Sequence, residues 1–260
     1  MPLVAAAVAA GAAEVGSERA EQQVETITRT DFIEEFIDRM EPGEHSIFFG
    51  PTGRGKSTLM KDLLEAGPPI PNVGILMPKG PDDHANEPFY KLGNRVSTWP
   101  SGTRMAWHKW NQETPPYIWQ QVGNPRAGYA PLRAQFEPTL RWFRGRPDWL
   151  LLIPDLQAIS DRKFANCGGE VEWLTLTLRK FGSSLWMDAQ RPAWIPRAAE
   201  DQVTNVVLFK NTDLGTVQRL HEVISLPMQT IEPLMLEMGR HDFLWMDGPE
   251  DDIFFVVGDK

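Results

Sequence analysis

Gly50-Pro51-Thr52-Gly53-Arg54-Gly55-Lys56-Ser57-Thr58 is the stretch on which the reading of this chain turns. It matches G-x-x-x-x-G-K-[ST], the loop that cradles the phosphates of a nucleoside triphosphate. Glycines at 50, 53 and 55 let the backbone turn tightly and bring its N–H groups to an anion. A helix starting near Lys56 points its positive dipole end at the same place. Lys56 is expected to reach the β and γ phosphates, and Ser57 to offer its hydroxyl to Mg²⁺. All nine residues from Gly50 to Thr58 are therefore expected to line a site for ATP and Mg²⁺.

The flanks agree with the loop. Ser46–Phe49 is a short apolar strand leading into Gly50, and Leu59, Met60, Leu63 and Leu64 recur at helical spacing until Gly67-Pro68-Pro69 stops them. Upstream, Thr28-x-x-Asp31 reads as a capping box before a helix carrying Phe32, Ile33, Phe36, Ile37 and Met40. Downstream, strands are expected at 73–77, 95–98, 149–153, 184–187 and 205–209, and helices at 132–143, 170–181 and 214–224. Residues 243–246 and 253–257 flank an acidic turn at Gly248 and predict a terminal β-hairpin. Short apolar strands alternating with helices indicate an α/β P-loop NTPase, with a mostly parallel central sheet flanked by helices.

Length and composition set the frame. The 260 residues suit one large α/β domain over 28–260, preceded by a disordered or weakly helical tail at 1–27 and interrupted by a Trp/Arg-rich insertion at about 81–146. The Ala-rich start lacks the positive region of a signal peptide and runs into the acidic stretch from Glu18 to Glu25. No apolar run is long enough to span a membrane. The single cysteine, Cys167, cannot form an internal disulfide, which fits a cytoplasmic setting.

Hydrolysis requires an acid on a neighbouring strand to orient the Mg²⁺ water shell, and commonly a second to activate the attacking water. The candidate is Trp149-Leu150-Leu151-Leu152-Ile153-Pro154-Asp155-Leu156-Gln157, which holds one acid. If Asp155 is the first acid, it serves Mg²⁺ and Leu156 stands where the base belongs. If Leu150–Ile153 set the register, Pro154 replaces the Mg²⁺-side acid and Asp155 is the base. An Asp155 that merely caps the next helix is the third reading.

Two further stretches carry a resemblance. Ile75-Leu76-Met77-Pro78-Lys79-Gly80 is similar to a hydrophobic strand followed by Asp-Pro-Lys-Gly, with Met77 in place of the Asp. Ser184-Leu185-Trp186-Met187-Asp188-Ala189-Gln190-Arg191-Pro192 is similar to a strand ending in Thr-Gln-Arg-Pro, with Ala189 in place of the Thr. With the loop and the acidic strand, in this order, the chain resembles the FtsK/HerA superfamily of motor ATPases across residues 43–225, most closely the small genome-packaging and mobile-element DNA translocases. The resemblance implies ATP hydrolysis with Mg²⁺, a γ-phosphate sensor at Gln190, and a ring oligomer, possibly a hexamer. It also implies an arginine supplied by the adjacent subunit, for which Arg179 is the first candidate, before Arg191 and Arg197. A viral origin would place the chain in host cytoplasm or with the virion.

The net charge of −9 is uneven: residues 103–146 carry seven basic side chains against two acids. Trp107, Trp110, Tyr117, Trp119, Tyr129, Trp142 and Phe143 lie among them. Two readings stay open. Arginines and rings facing a pore would hold DNA through its backbone and by stacking, with weak sequence preference. Alternatively, the rings pack a core and the arginines pair with acids. His45, His84, His108, His221 and His241 show no zinc-ligand spacing. A P-loop small-molecule kinase, with the arginines of 126–146 as a phosphate lid, and a nucleotide-binding interaction protein with weak or no turnover are the alternative functions.

Overall fold

The computed structural model describes residues 24–79, 84–96, 117–124, 129–191, 195, 201–211, 228–249 and 252–259. The first strand, β1 (Glu25–Thr28), begins within the last three residues of the stretch 1–27 expected to be a tail. Its β-branched Thr26, Ile27 and Thr28 suit a pleated edge. Thr28 then caps α1 (Arg29–Arg39): its hydroxyl accepts from Asp31 N, and the Asp31 carboxylate accepts from Thr28 N, so the predicted capping box is formed.

Next come β2 (His45–Phe49), the phosphate-loop strand, and α2 (Lys56–Ala66), followed by β3 (Asn72–Met77). A 3₁₀ turn at His84–Phe89 precedes the short β4 (Asn94–Val96) and then β5 (Tyr117–Val122), a strand within the expected insertion that periodicity did not reveal. Helix α3 (Tyr129–Phe143) starts earlier than expected because Pro131 sits in its first turn, where a missing N–H costs nothing. It leads to β6 (Trp149–Ile153), α4 (Leu156–Ser160) and α5 (Gly168–Thr177), whose end tightens into a 3₁₀ turn at Leu178–Phe181. The remaining elements are β7 (Ser184–Ala189), β8 (Val203–Phe209), α6 (Met228–Glu237), β9 (Phe243–Asp247) and β10 (Asp252–Val257). The helix expected at 214–224 lies outside the described residues.

The strands form one ten-stranded sheet in the order β1-β10-β9-β8-β2-β7-β6-β3-β5-β4. Every pairing is parallel except the two that β9 makes, with β8 and β10. The terminal hairpin expected around Gly248 is β9–β10, and β1 pairs with its outer strand.

Both faces are covered, and the alternation along each strand assigns the side. Phe48, Leu150, Leu152 and Trp186 face α1 and α2, meeting Phe32, Phe36, Leu59 and Leu63. Ile47, Phe49, Leu151, Ile153 and Met187 face α3, α5 and α6, meeting Phe136, Leu174 and Ile231. This two-sided burial explains why β6 reads as an unbroken apolar run and why β2 ends in one at Ile47–Phe49.

The order also decides what meets at the site. β7 lies between β2 and β6, and all three are parallel. Their C-terminal ends, carrying the phosphate loop, Gln190 and Asp155, therefore emerge side by side.

Candidate nucleotide site

The loop from Gly50 to Gly55 links β2 to α2. Gly50 has φ 145° and Gly55 has φ 99°. A Cβ on Gly50 would lie 2.7 Å from Phe209 Cβ at the end of β8, so this position must be glycine for β8 to pass. Gly50 N–H donates to Ala189 O at 3.3 Å, which ties the loop root to the end of β7. Gly55 caps α2 without a side-chain hydrogen bond, and the first turn holds no acid. The open N–H groups and the positive helix end are thus directed at the loop, the arrangement that receives an anion.

Lys56 is buried at this mouth. Its Nζ donates to Gly50 O at 2.6 Å and Pro51 O at 3.0 Å. It also lies 3.5 Å from Asp188 Oδ1. Thr52, Gly53 and Thr58 are exposed, and Pro51, Arg54 and Ser57 are half-buried. All nine predicted loop residues are gathered at one point.

Asp155 is brought to the same edge, where it has two partners. Its Oδ1 accepts from Ala158 N at 3.0 Å, so it does cap α4. Its Oδ2 pairs with Lys79 Nζ at 2.7 Å. Lys79, at the exit of β3, is therefore more than a solvated turn residue. Gln190 follows Ala189 directly, beside the loop root, and is half-buried, while Arg191 is exposed.

Arg179 is not brought to this loop. A Cβ on Gly43, just ahead of β2, would sit 3.1 Å from Arg179 O. That places the exposed Arg179 at the opposite end of the sheet from the phosphate loop. Arg197 lies outside the described residues.

Sequence reasoning passed over two residues. Asp188, within the apolar run of β7, is 8% exposed. Burial pushes its carboxyl up to about 7, opposed by Lys56 and reinforced by Asp155. Its signal was there to be seen: an acid inside an otherwise apolar strand is costly unless paired. The other is His241, whose Nδ1–H donates to Arg54 O at 3.2 Å from the loop ahead of β9. Its sequence separation hid it.

For the described part of 103–146, packing prevails over an open basic surface. Trp119 and Phe143 are buried, and Trp119, Trp142, Phe143 and Trp149 pack ring against ring at centroid distances of 5.1–5.4 Å. Arg133 and Arg141 pair with Glu137, and Arg141 and Arg144 with Glu170. Trp119 and Phe143 are thereby closed to stacking bases, while the half-buried Trp142 has the Arg146 guanidinium over its ring at 4.5 Å. Arg104, Trp107, Lys109, Trp110 and Arg126 lie outside the described residues, as does the side chain of Tyr129. No helix among the described residues is long and apolar enough to cross a membrane.

No protein-family model and no curated protein matches the sequence. Solved structures do match the fold. The genome packaging NTPase B204 from Sulfolobus turreted icosahedral virus 2, in complex with ATP-gammaS, superposes with a TM-score of 0.58 at 14% identity, over 85% of this chain and 100% of that one. VirB4 of Thermoanaerobacter pseudethanolicus gives 0.55 at 12% identity, over 83% of this chain and 89% of that one. The pCW3 conjugation coupling protein TcpA, with ATPgS, gives 0.53 at 14% identity, over 85% and 67%. The chain thus has the P-loop NTPase fold of these proteins.

Proposed function

We propose that this chain is an ATP-hydrolysing motor of the FtsK/HerA type that packages or translocates DNA as a ring of its own copies. The observation that carries the reading is the convergence of three strand ends: Lys56 at the loop mouth, Gln190 beside the loop root and Asp155 on the next strand. Solved structures of the same fold are described as a genome packaging NTPase and a conjugation coupling protein, which favours a motor over a small-molecule kinase.

In this reading residues 28–260 act as one ATPase domain. The loop amides of 50–58 and Lys56 hold the phosphates, and Gln190 senses the γ-phosphate. Asp155 is the acid of the β6 end, serving either Mg²⁺ or the attacking water. Arg179, remote from its own loop, acts on the neighbouring subunit in the ring. The donors at the mouth suit Mg²⁺: the Ser57 hydroxyl and carboxylates are hard oxygen ligands. Among the described residues no group of three or more His, Cys, Asp and Glu makes a cage by itself. Mg²⁺ would therefore arrive with the nucleotide, keeping phosphate oxygens and waters in its shell. DNA would be held through its backbone by basic residues of the 103–128 stretch, with weak sequence preference.

Phosphate release with and without double- and single-stranded DNA, run beside a mass measurement in ATP, tests the proposal. DNA-stimulated release by an oligomer is the expected result. Release indifferent to every nucleic acid, or a monomer in ATP, would refute the motor.

A further inference from the structure

The end of β6 lacks an acid where one belongs. With Leu150–Ile153 filling the strand, Pro154 takes the first position past it. Pro154 has no side-chain oxygen, so it cannot orient an ion's waters. Asp155, one residue later, has both carboxylate oxygens engaged, Oδ1 by Ala158 N–H and Oδ2 by Lys79. Its charge is offset by the Lys79 ammonium.

The neighbouring strand supplies what Pro154 does not. Leu152 is paired with Trp186, and Ile153 with Met187. The next step of that register sets Pro154 beside Asp188. Leu150, Leu152 and Trp186 share the sheet face covered by α2, so alternation puts Asp188 on the α2 side too. The Lys56 contact agrees: Asp188 Oδ1 is 3.5 Å from the Nζ of the residue next to Ser57. Lys56 makes shorter bonds to the carbonyls of Gly50 and Pro51, so Asp188 is not needed to hold it in place. A buried carboxylate with so loose a cation partner is expensive to keep.

We propose that Asp188 is the Mg²⁺-side carboxylate of the site, moved from the end of β6 to the adjacent position on β7. The assignment rests on the nucleotide-binding reading of the loop. Asp188 would orient the ion's waters as an outer partner, in concert with the Ser57 hydroxyl.

The test is a titration of ATP, followed by calorimetry, in Mg²⁺ and in EDTA. Three chains are compared: wild type, Asp188→Asn, and Asp188→Asn with Pro154→Asp. Mg²⁺ should tighten ATP binding by the wild type. Asp188→Asn should lose about 10- to 100-fold of that tightening, with the EDTA affinity unchanged or improved. Pro154→Asp should restore it by returning the acid to β6. Full Mg²⁺ tightening in Asp188→Asn, or an equal loss with and without Mg²⁺, would overturn the assignment. No ATP binding by the wild type would overturn the nucleotide reading along with it. If Asp188→Asn does not fold, Asp188→Glu keeps the charge one methylene further out. Its affinity for Mn²⁺ in the presence of ATP, read by electron paramagnetic resonance, should then fall several-fold, and an unchanged affinity would refute the proposal.

Discussion

Lys56 Nζ lies 2.6 Å from Gly50 O, so the cation that would meet the phosphates is held by the first carbonyl of its own loop. A γ-phosphate competes for the same ammonium with a full charge, where a carbonyl offers only a dipole. Lys56→Ala removes the group that moves between the two. Phosphate release should fall by about 100-fold or more, with the fold retained in a thermal melt. Turnover within tenfold of wild type would remove Lys56 from the centre of the site.

Gly50→Ala should be destabilising for two separable reasons. The φ of 145° disfavours a side chain, and the new Cβ meets Phe209 Cβ at 2.7 Å. Gly67 provides the control: its φ is 89°, yet a Cβ there has nothing within 4 Å. Gly67→Ala should cost about 1 kcal/mol from backbone strain alone. Gly50→Ala should cost about 1–3 kcal/mol more from the clash. Urea denaturation of the two variants side by side checks the difference.

His45 makes stability pH-dependent. Its Nε2–H donates to Thr175 O at 3.0 Å, and its Nδ1 accepts from Leu185 N at 3.2 Å. The neutral ring satisfies both bonds, and a proton on Nδ1 would face another N–H. Burial carries its pKa down from 6.5 to about 4. Because the folded value is the lower one, the unfolded chain takes up the proton first as pH falls. The stabilisation is complete above about 6.5 and is lost down to about 4, on the order of 3 kcal/mol in all. Urea midpoints between pH 7.5 and 4.5 should drop less in His45→Gln than in wild type. Parallel slopes would assign the acid sensitivity to other groups.

His241→Ala should loosen the phosphate loop without unfolding the protein. The bond from Nδ1 to Arg54 O joins the loop to the turn ahead of β9. Losing it removes about 1 kcal/mol of restraint. Amide exchange across residues 52–56 should quicken about fivefold, while exchange in β2 stays unchanged. Mass-resolved hydrogen exchange reads both in one experiment.

The legible parts of the fold were those where one local signal suffices. The loop announces itself through glycines whose spacing has no other use, and β2 and β6 through apolar runs that only a two-sided sheet buries. β5 was hidden because Gln120 and Gln121, both fully buried, break its apolar pattern. The Gln120 amide donates to Phe89 O, and the Gln121 amide to Gln135 O at 3.1 Å, partners that no local window contains. α6 was hidden by Pro233 within it. At the site, Asp155 was singled out from its strand and Gln190 from the resemblance of residues 184–192 to a strand ending in Thr-Gln-Arg-Pro. Asp188 and His241 were not, because their meaning depends on which strand lies beside which.

The position of β2 within the sheet has a mechanical consequence. It is hydrogen-bonded to β7 on one edge and β8 on the other through all five of its residues. No partial opening can free it, so its amides should exchange only when the whole protein unfolds. The loop that follows, from Gly50, has no such double bracing. Displacement of the loop by a bound phosphate should therefore pivot about the Phe49–Gly50 junction, against a fixed plate, with α2, the adjoining strand ends and the His241 bond to Arg54 as its connections outward.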